Sequence, residues 1–525
     1  MRKPETAERH PWALKWLFSI EMWERWGFYL MLGLLTLFLM DTVKGGFGYS
    51  EDLASEIYGT FLALCYVTPF FGAMLAERIF GFRRTVLLGA FLMMIGYFLL
   101  ATITPVTFFI GLGLIVLGNG LFKPNISAML GKFYEDGSKL VDSGYKIFYM
   151  GINIAGLFCN FMAAFLRHNY GWGFAFAGAG VGMGLSTIII LLVYKRLAPI
   201  DALVEEQKKQ PRDPNEVGFA FMGKWVLPPM LLLGSLGYVL FGLTWAFLLA
   251  CIPILFFYFF LWASAKKEEK GPLGALLVLL IVAMPFFTLY GLNGAALNYW
   301  ARDNTDRQMN SEVINWTMDT FQFAEEVDSE NPYFKIQSKI TPIPAKGEEV
   351  RLLSTELFQS VNPFFIITLI PLIELLMGFL RRRKRAPSTP VQLGIGLIFA
   401  AFGMLVMFFA TKAGVSPEGT VFKVSPWWLV STYFFLTAAE CFVSPVGLTL
   451  VRQMSPKRFT AVMMGGFFII SIAIGVKLAG VASGLWNTID HDTLFMGLMV
   501  YALFFAGLVF SLSKWLNKYI PQTSE

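Results

Sequence analysis

The sequence predicts an all-α protein that crosses the membrane fourteen times, in a six, two, six arrangement. Three observations carry that reading. Hydrophobic residues fill 56% of the 525 positions and charged residues only 15%, with a mean hydropathy of +0.59, a composition that belongs to polytopic membrane chains. Apolar stretches of about 20 residues, the length a helix needs to cross the hydrocarbon core, recur along the whole chain. Basic loops alternate with short or acidic ones, as membrane topology demands. The net charge of +6 resides in those loops and does not point to nucleic acid.

The first six spans are read near 14–40, 54–76, 84–103, 106–130, 145–167 and 173–194. The charged N-terminus (Arg2, Lys3, Glu5, Glu8, Arg9) precedes an apolar run without a small-residue cleavage site, so the first helix is expected to be retained as a span. A polar stretch from Lys195 to about Val217 follows, then two spans near 220–240 and 242–264 with no ionisable residue beyond Lys224. That pair is expected on the periphery, and Lys266–Lys270 closes it. Six more spans lie near 273–299, 361–380, 390–411, 426–452, 459–486 and 493–516. The expected domains are a six-helix bundle over 1–196, a linker with two helices over 197–270 and a second six-helix bundle over 271–525. Paired halves of this kind are how many secondary transporters are built.

Loop charge orients the chain. The basic clusters Arg78, Arg83 and Arg84, then Lys195, Arg196, Lys208 and Lys209, then Arg381–Arg385, then Lys457 and Arg458 all fall on the side of both termini, which is the cytoplasm by the positive-inside rule. Segment 301–360, with Asp303, Asp306, Glu325, Glu326, Asp328 and Glu330, lies outside. It is too long for a bare loop, so partial secondary structure is expected there, with a hairpin as the simplest form.

Several chemistries are disfavoured. Cys65, Cys159, Cys251 and Cys441 all fall inside spans, at spacings that suggest neither a metal site nor a disulfide framework. His10, His168 and His491 lie near span ends, so proton chemistry at the midplane must run on carboxylates. There is no H-E-x-x-H and no convincing Gly-x-Ser-x-Gly turn, so the chain does not read as an enzyme.

The informative residues are charges inside apolar helices. Glu21, Glu24 and Arg25 occupy one turn of the first span. A charge near the bilayer centre costs roughly 2.5–3.5 kcal/mol on insertion scales. Glu21 and Arg25 share a face at i, i+4, with Glu24 beside it. One pair neutralises itself and leaves a carboxylate that can be an anion or take a proton, a candidate proton coupler. Lys123 is a lone ammonium in the fourth span, followed by Pro124, and its depth argues against simple snorkelling. Glu440 is a lone carboxylate in the tenth span of the six-plus-six count, ahead of Ser444, Pro445 and Gly447. Tyr29, Tyr66, Asn153 and Asn362 are polar groups on apolar helices; singly each is interhelical glue, and together with Lys123 and Glu440 they suit one polar cavity.

The run from Gly72 to Arg84, with Glu77, Arg78, Gly81 and Arg83, resembles the glycine, acid and base loop signature of the major facilitator superfamily. Its glycines permit close helix approach and positive φ, and its charges suit a conformational latch. The whole set of motifs resembles the proton-dependent oligopeptide transporter family within that superfamily. Glu21, Glu24 and Arg25 form its E-x-x-E-R motif, and the runs Phe148–Gly156, Gly118–Asn125 and Glu440–Gly447 also agree. Bacterial members are similar in carrying two extra helices between the halves.

The resemblance implies proton-driven symport of di- and tripeptides by alternating access, with no cofactor beyond the proton gradient. The loop plan, without a eukaryote-type extracellular domain, favours a bacterial inner membrane, and a monomer is expected. It assigns Lys123 and Arg25 to the peptide carboxylate or the proton step, Glu440, Asn153 and Asn362 to the peptide amine, and Tyr29 and Tyr66 to peptide contact. Two departures stand out. Leu32 occupies a place where many members carry an arginine, and Gly291 and Leu292 occupy the places of a Glu-Gln pair. The absence of both charges fits a pair removed together, since a lone buried charge is costly. The departures also keep open an alternative cargo, such as a drug, nitrate or another metabolite.

Overall fold

The computed structural model describes residues 9–134, 138, 140–201, 222–308, 311–339, 341–456 and 460–520. Lys208, Lys209, Lys457, Arg458 and the Arg78 side chain lie outside the described residues. The chain forms two compact units, one of Met1–Met31 with Thr68–Arg212 and one of Leu32–Val67 with Asp213–Glu525. The first two helices are therefore shared, each contributing one portion to either unit.

The first unit is built from α1 (Ala13–Met40), α2 (Glu51–Leu75), α3 (Phe82–Leu100), α4 (Pro105–Lys132), α5 (Val141–Tyr170) and α6 (Trp172–Val193). Helix α3 packs on α4 and α6, and α5 packs on α6. Lateral association in lipid is driven by close van der Waals fit, which favours small residues at contacts. The α2–α4 contact shows this: a Cβ on Gly72 would sit 1.9 Å from the Gly120 carbonyl oxygen. Pro124 lies inside α4 and leaves that carbonyl without its helical donor, yet the helix runs on to Lys132.

The second unit adds α7 (Leu227–Phe241), α8 (Leu243–Ser264), α9 (Lys267–Gly291), α10 (Ala296–Asp303), α11 (Glu312–Phe321), α12 (Val361–Arg382), α13 (Thr389–Ala413) and α14 (Trp427–Met454). A last rod runs from α15 (Thr460–Gly466) through a π-helical turn at Phe467–Ala473 into α16 (Ile474–Gly484), and α17 (His491–Asn517) closes the chain. Helices α7 and α8 pack on each other, and α7 buries only Gly237 among its described residues, in keeping with a peripheral, lipid-facing pair. The span expected near 273–299 is a broken helix: α9 stops at Gly291, a 3₁₀ turn covers Leu292–Gly294, and α10 resumes.

Among the described residues, twelve helices are long and apolar enough to cross a membrane. The two other long helices, α1 and α14, carry Glu21, Glu24, Arg25 and Glu440. A six, two, six layout is compatible with this arrangement, and the protein is an integral membrane protein.

The described residues of segment 301–360 form a small cap. Strands β1 (Ala324–Val327) and β2 (Val350–Leu353) pair antiparallel, with Ala324 opposite Leu353 and Val327 opposite Val350. Val327, Tyr333 and Leu352 form its core. Parallel bridges tie Thr305 to Val424 and Gln337 to Phe422, so the loop between α13 and α14 joins the same cap. The expected hairpin is a strand pair whose connection carries its own structure.

Candidate functional site

Helices α1 and α4 meet around four charges. Arg25 grips Glu24 with two short hydrogen bonds from Nε and Nη2, and Nη2 also donates to Asn119 Oδ1 of α4 at 3.1 Å. The Arg25 guanidinium lies over the rings of Phe28, at 4.5 Å, and Tyr29, at 5.8 Å. Glu21 stays 4.0 Å from Arg25 Nε. Its partner is Lys123, whose Nζ donates to Glu21 Oε1 at 2.6 Å. Two carboxylates and two cations thus make a neutral set. Glu21 and Glu24 are fully buried, while the Lys123 side chain is 30% exposed. Glu21 Oε2 is buried and has no hydrogen-bond partner among the described residues.

Of the two acids that helical spacing sets beside Arg25, Glu24 takes the two short bonds and Glu21 the longer contact, while Asn119 holds the guanidinium toward α4 and Lys123 holds Glu21. Asn119 was the missed member, and its signal was a polar amide between Gly118 and Gly120 in an apolar run.

In the second unit, Asn362 of α12 donates from Nδ2 to Glu440 Oε2 of α14 at 3.1 Å and to Thr437 Oγ1 at 2.9 Å. Thr437 and Glu440 lie one turn apart on α14, so one amide bridges both. Asn153 bonds within its own helix, from Nδ2 to the Tyr149 carbonyl at 3.0 Å. Tyr66 is half-buried on α2. The structure therefore brings Glu21, Glu24, Arg25, Tyr29 and Lys123 together in one unit and Asn362 with Glu440 in the other.

The latch run takes the form its glycines require. Helix α2 passes into a π-helical turn, Ala76–Phe80, that ends at Gly81 with φ +79°, a conformation that disfavours any side chain. Arg83 then bonds Asp201, Nε to Oδ2 at 2.7 Å, and donates from Nη1 to the Tyr194 carbonyl at 2.9 Å. Asp201 gave no sequence signal, since it lies 118 residues away in a polar stretch. Glu77 and Arg84 are exposed.

A second charged cluster sits where α10 meets the start of α2. Arg302 pairs with Asp303 at 2.7 Å and with Glu51 at 2.8 Å, and Glu51 also accepts from Asn487 Nδ2 at 2.9 Å. The cap reaches this cluster through Lys423, which donates from Nζ to the Asp303 carbonyl. Lys423 lies over the Tyr333 ring at 4.0 Å. Burial, reinforced by Arg307 and Arg302, pushes Lys423 down to about 7, against the opposing pull of Asp303 and Asp306. Burial also pushes the Tyr333 phenol up to about 12. Among the described residues, no group of three or more His, Cys, Asp or Glu could hold a metal.

The model of the POT family matches residues 83–206 and 347–501. The peptide transporter YePEPT of Yersinia enterocolitica is 30% identical over 502 residues, covering 90% of this chain and 88% of that protein. The chain belongs to the POT family. Dipeptide and tripeptide permease B of Aliivibrio fischeri is 27% identical, covering 92% of this chain and 88% of that protein. A crystal structure of a peptide transporter POT in complex with sulfate is 26% identical, with a TM-score of 0.76 over 98% of this chain and 96% of the other. A POT family transporter in complex with 5-aminolevulinic acid, 23% identical, shares the fold at a TM-score of 0.78 over 97% of both chains. As a POT family member the chain is a proton-coupled membrane transporter and not an enzyme, and it needs no cofactor beyond the proton gradient.

Proposed function

We propose that this POT family member imports di- and tripeptides together with protons by alternating access. We place it in a bacterial inner membrane, as a monomer with both termini in the cytoplasm and fourteen spans divided over 1–196, 197–270 and 271–525. The names of the Yersinia and Aliivibrio relatives support the peptide cargo. The neutral α1–α4 set, with one carboxylate oxygen of Glu21 unpartnered, supports the proton step.

The coupling follows from charge balance. A proton on Glu21 or Glu24 removes one negative charge from a set of two acids and two bases. The cation that acid held then lacks an anion in a low-dielectric site, which is costly. The peptide carboxylate supplies it, at Lys123 and Arg25. The peptide ammonium goes to Glu440, with the amides of Asn362 and Asn153 beside it and Tyr29 and Tyr66 as contacts. Gly72, Glu77, Arg78, Gly81, Arg83 and Arg84 act as the latch between conformations.

A carrier of another small solute is the second reading, favoured by Leu32 and by Gly291. A Cβ at Gly291 would meet Ala479 Cβ at 2.8 Å, so no carboxylate side chain fits there as packed. Competition for labelled dialanine uptake by a panel of peptides, drugs and nitrate separates the two. Displacement by di- and tripeptides alone is the expected result, and no dialanine uptake at all would overturn the peptide reading.

A further inference from the structure

Helix α16 carries an ion that the peptide mechanism leaves unused. Lys477 is fully buried in an otherwise apolar helix, and its ammonium donates to the Thr60 hydroxyl of α2 at 2.7 Å. Thr60 in turn donates to the Glu56 carbonyl, one turn back along α2, at 2.8 Å. The Glu56 carboxylate points elsewhere. Its Oε1 accepts from both the backbone N–H and the hydroxyl of Thr244, each at 2.8 Å, at the start of α8. Among the described residues, neither Lys477 nor Glu56 has an ion-pair partner. Opposite charges inside a membrane normally pair with one another, and residues four apart on a helix lie about 5–6 Å from each other. Glu56 is therefore one side-chain swing from the ammonium that Thr60 holds.

The surroundings fix this as a local choice between two partners. Helices α2 and α16 cross at Gly59 and Gly480, where a Cβ on either glycine would sit 2.8 Å from the other's Cα. Lys477 is one turn from that crossing. Among the described residues, the elements packed on α16 include α9, α8, the π-helical turn Phe467–Ala473 and the 3₁₀ turn Leu292–Gly294. Beyond the first turn of α9 they carry no charged residue, and their titratable groups are Tyr290, Tyr258 and Cys251. From α2 come Glu51, Asp52, Glu56, Tyr58, Cys65 and Tyr66. Glu51 is held by Arg302, Asp52 lies two turns from Thr60, and Glu56 is the carboxylate one turn from it. Gly291, where the family resemblance leads one to expect a glutamate, packs against Val476 and Ala479 of the same helix.

We propose that Lys477 and Glu56 are the charge pair that works the α2–α16 crossing in this carrier, in place of the pair missing at Leu32 and Gly291. Closed, the crossing leaves Lys477 on Thr60 and Glu56 on Thr244. When Glu56 leaves Thr244 it takes Lys477 and locks the crossing shut, and opening breaks the hold of α2 on Lys477. The start of α8 then competes with Lys477 for one carboxylate, which gives the additional helix pair a part in gating. The inference rests on the transporter reading, not on the cargo.

The test is a spin-label distance between Leu53→Cys on α2 and Leu485→Cys after α16, in full-length protein in nanodiscs without substrate. The four native cysteines are replaced by alanine. Both label positions are exposed, and Gly484 lies against Asp52, so the closed distance is short. Lys477→Met and Glu56→Gln are expected to raise the long-distance population, because each removes an attraction that holds α2 to α16. Thr244→Val frees Glu56 for Lys477, so it is expected to lower that population, and to lose the effect when combined with Lys477→Met. An equal effect of Thr244→Val with and without Lys477, or a long-distance population in Lys477→Met no larger than in the parent, overturns the proposal. Dialanine uptake by the parent reports on the peptide reading separately.

Discussion

Lys123 on α4 holds Glu21 on α1, with Nζ 2.6 Å from Oε1, and so frees Arg25 to hold Glu24 and Asn119. Two pairs side by side give the site a property one pair lacks. Either acid can be neutralised while the other pair keeps its helix contacts, so a proton changes the demand for an anion without dissolving the α1–α4 interface.

The pairing makes a stability prediction. Lys123→Met strands the fully buried Glu21 carboxylate, and losing one partner of a buried pair costs roughly 3–5 kcal/mol. Thermal unfolding in detergent is expected to show a clearly lowered midpoint for Lys123→Met and substantial recovery in Lys123→Met with Glu21→Gln. Transport is expected to stay lost in both.

Gly72→Ala addresses the helix contact behind that site. The added methyl has only 1.9 Å to the Gly120 carbonyl oxygen, backbone against backbone, so α2 and α4 must separate. Overpacking of this kind costs typically 1–3 kcal/mol. The expected outcome is a lowered unfolding midpoint and slower uptake, with Gly184→Ala, which would meet nothing closer than Met94 Sδ at 3.7 Å, as the mild control.

Arg83 and Asp201 should behave as one unit. Hydrogen bonds to charged groups contribute roughly 1.5–3 kcal/mol, and both side chains are less than one-fifth exposed. Arg83→Gln and Asp201→Asn are each expected to lower stability, and the double variant to be little worse than either single one. Full additivity in the double-mutant cycle would contradict the pairing.

How much of this was legible in the sequence can be judged from particular residues. Hydropathy and loop charge located the long helices, because a membrane imposes one length and one composition on every span. The residue types at the site were legible for a related reason: Glu21, Glu24, Arg25, Lys123 and Glu440 stand out against apolar neighbours. Their partners were not. Helical spacing reports only neighbours on the same helix, so it set Glu21 and Glu24 beside Arg25 and said nothing of Lys123, 102 residues from Glu21. Asp201, Thr437 and Thr60 were invisible likewise, since each acts through packing between distant segments. The break at Gly291 was hidden, and the hairpin expected in 301–360 could not be placed on particular residues, because short elements leave weak periodicity.

The cap supplies a pH dependence. Lys423 is pushed down to about 7 from an ordinary 10.5. Between those two values the opened cap binds more protons than the closed one, so cap stability falls as pH drops through that window. Below about 7 both forms are charged and the loss is complete and flat. Hydrogen exchange at 324–327 and 350–353, corrected for intrinsic rates, is expected to show more opening at pH 7 than at pH 10. Lys423→Met is expected to remove that trend.

The central claim is that protons drive uptake through the acids of α1 and their cations. It is tested most directly by measuring, in the same proteoliposomes, dialanine uptake driven by a pH gradient and dialanine counterflow without one. Glu24→Gln and Lys123→Ala are predicted to lose concentrative uptake, and Glu24→Gln to retain counterflow. Undiminished gradient-driven accumulation by both variants would contradict the account.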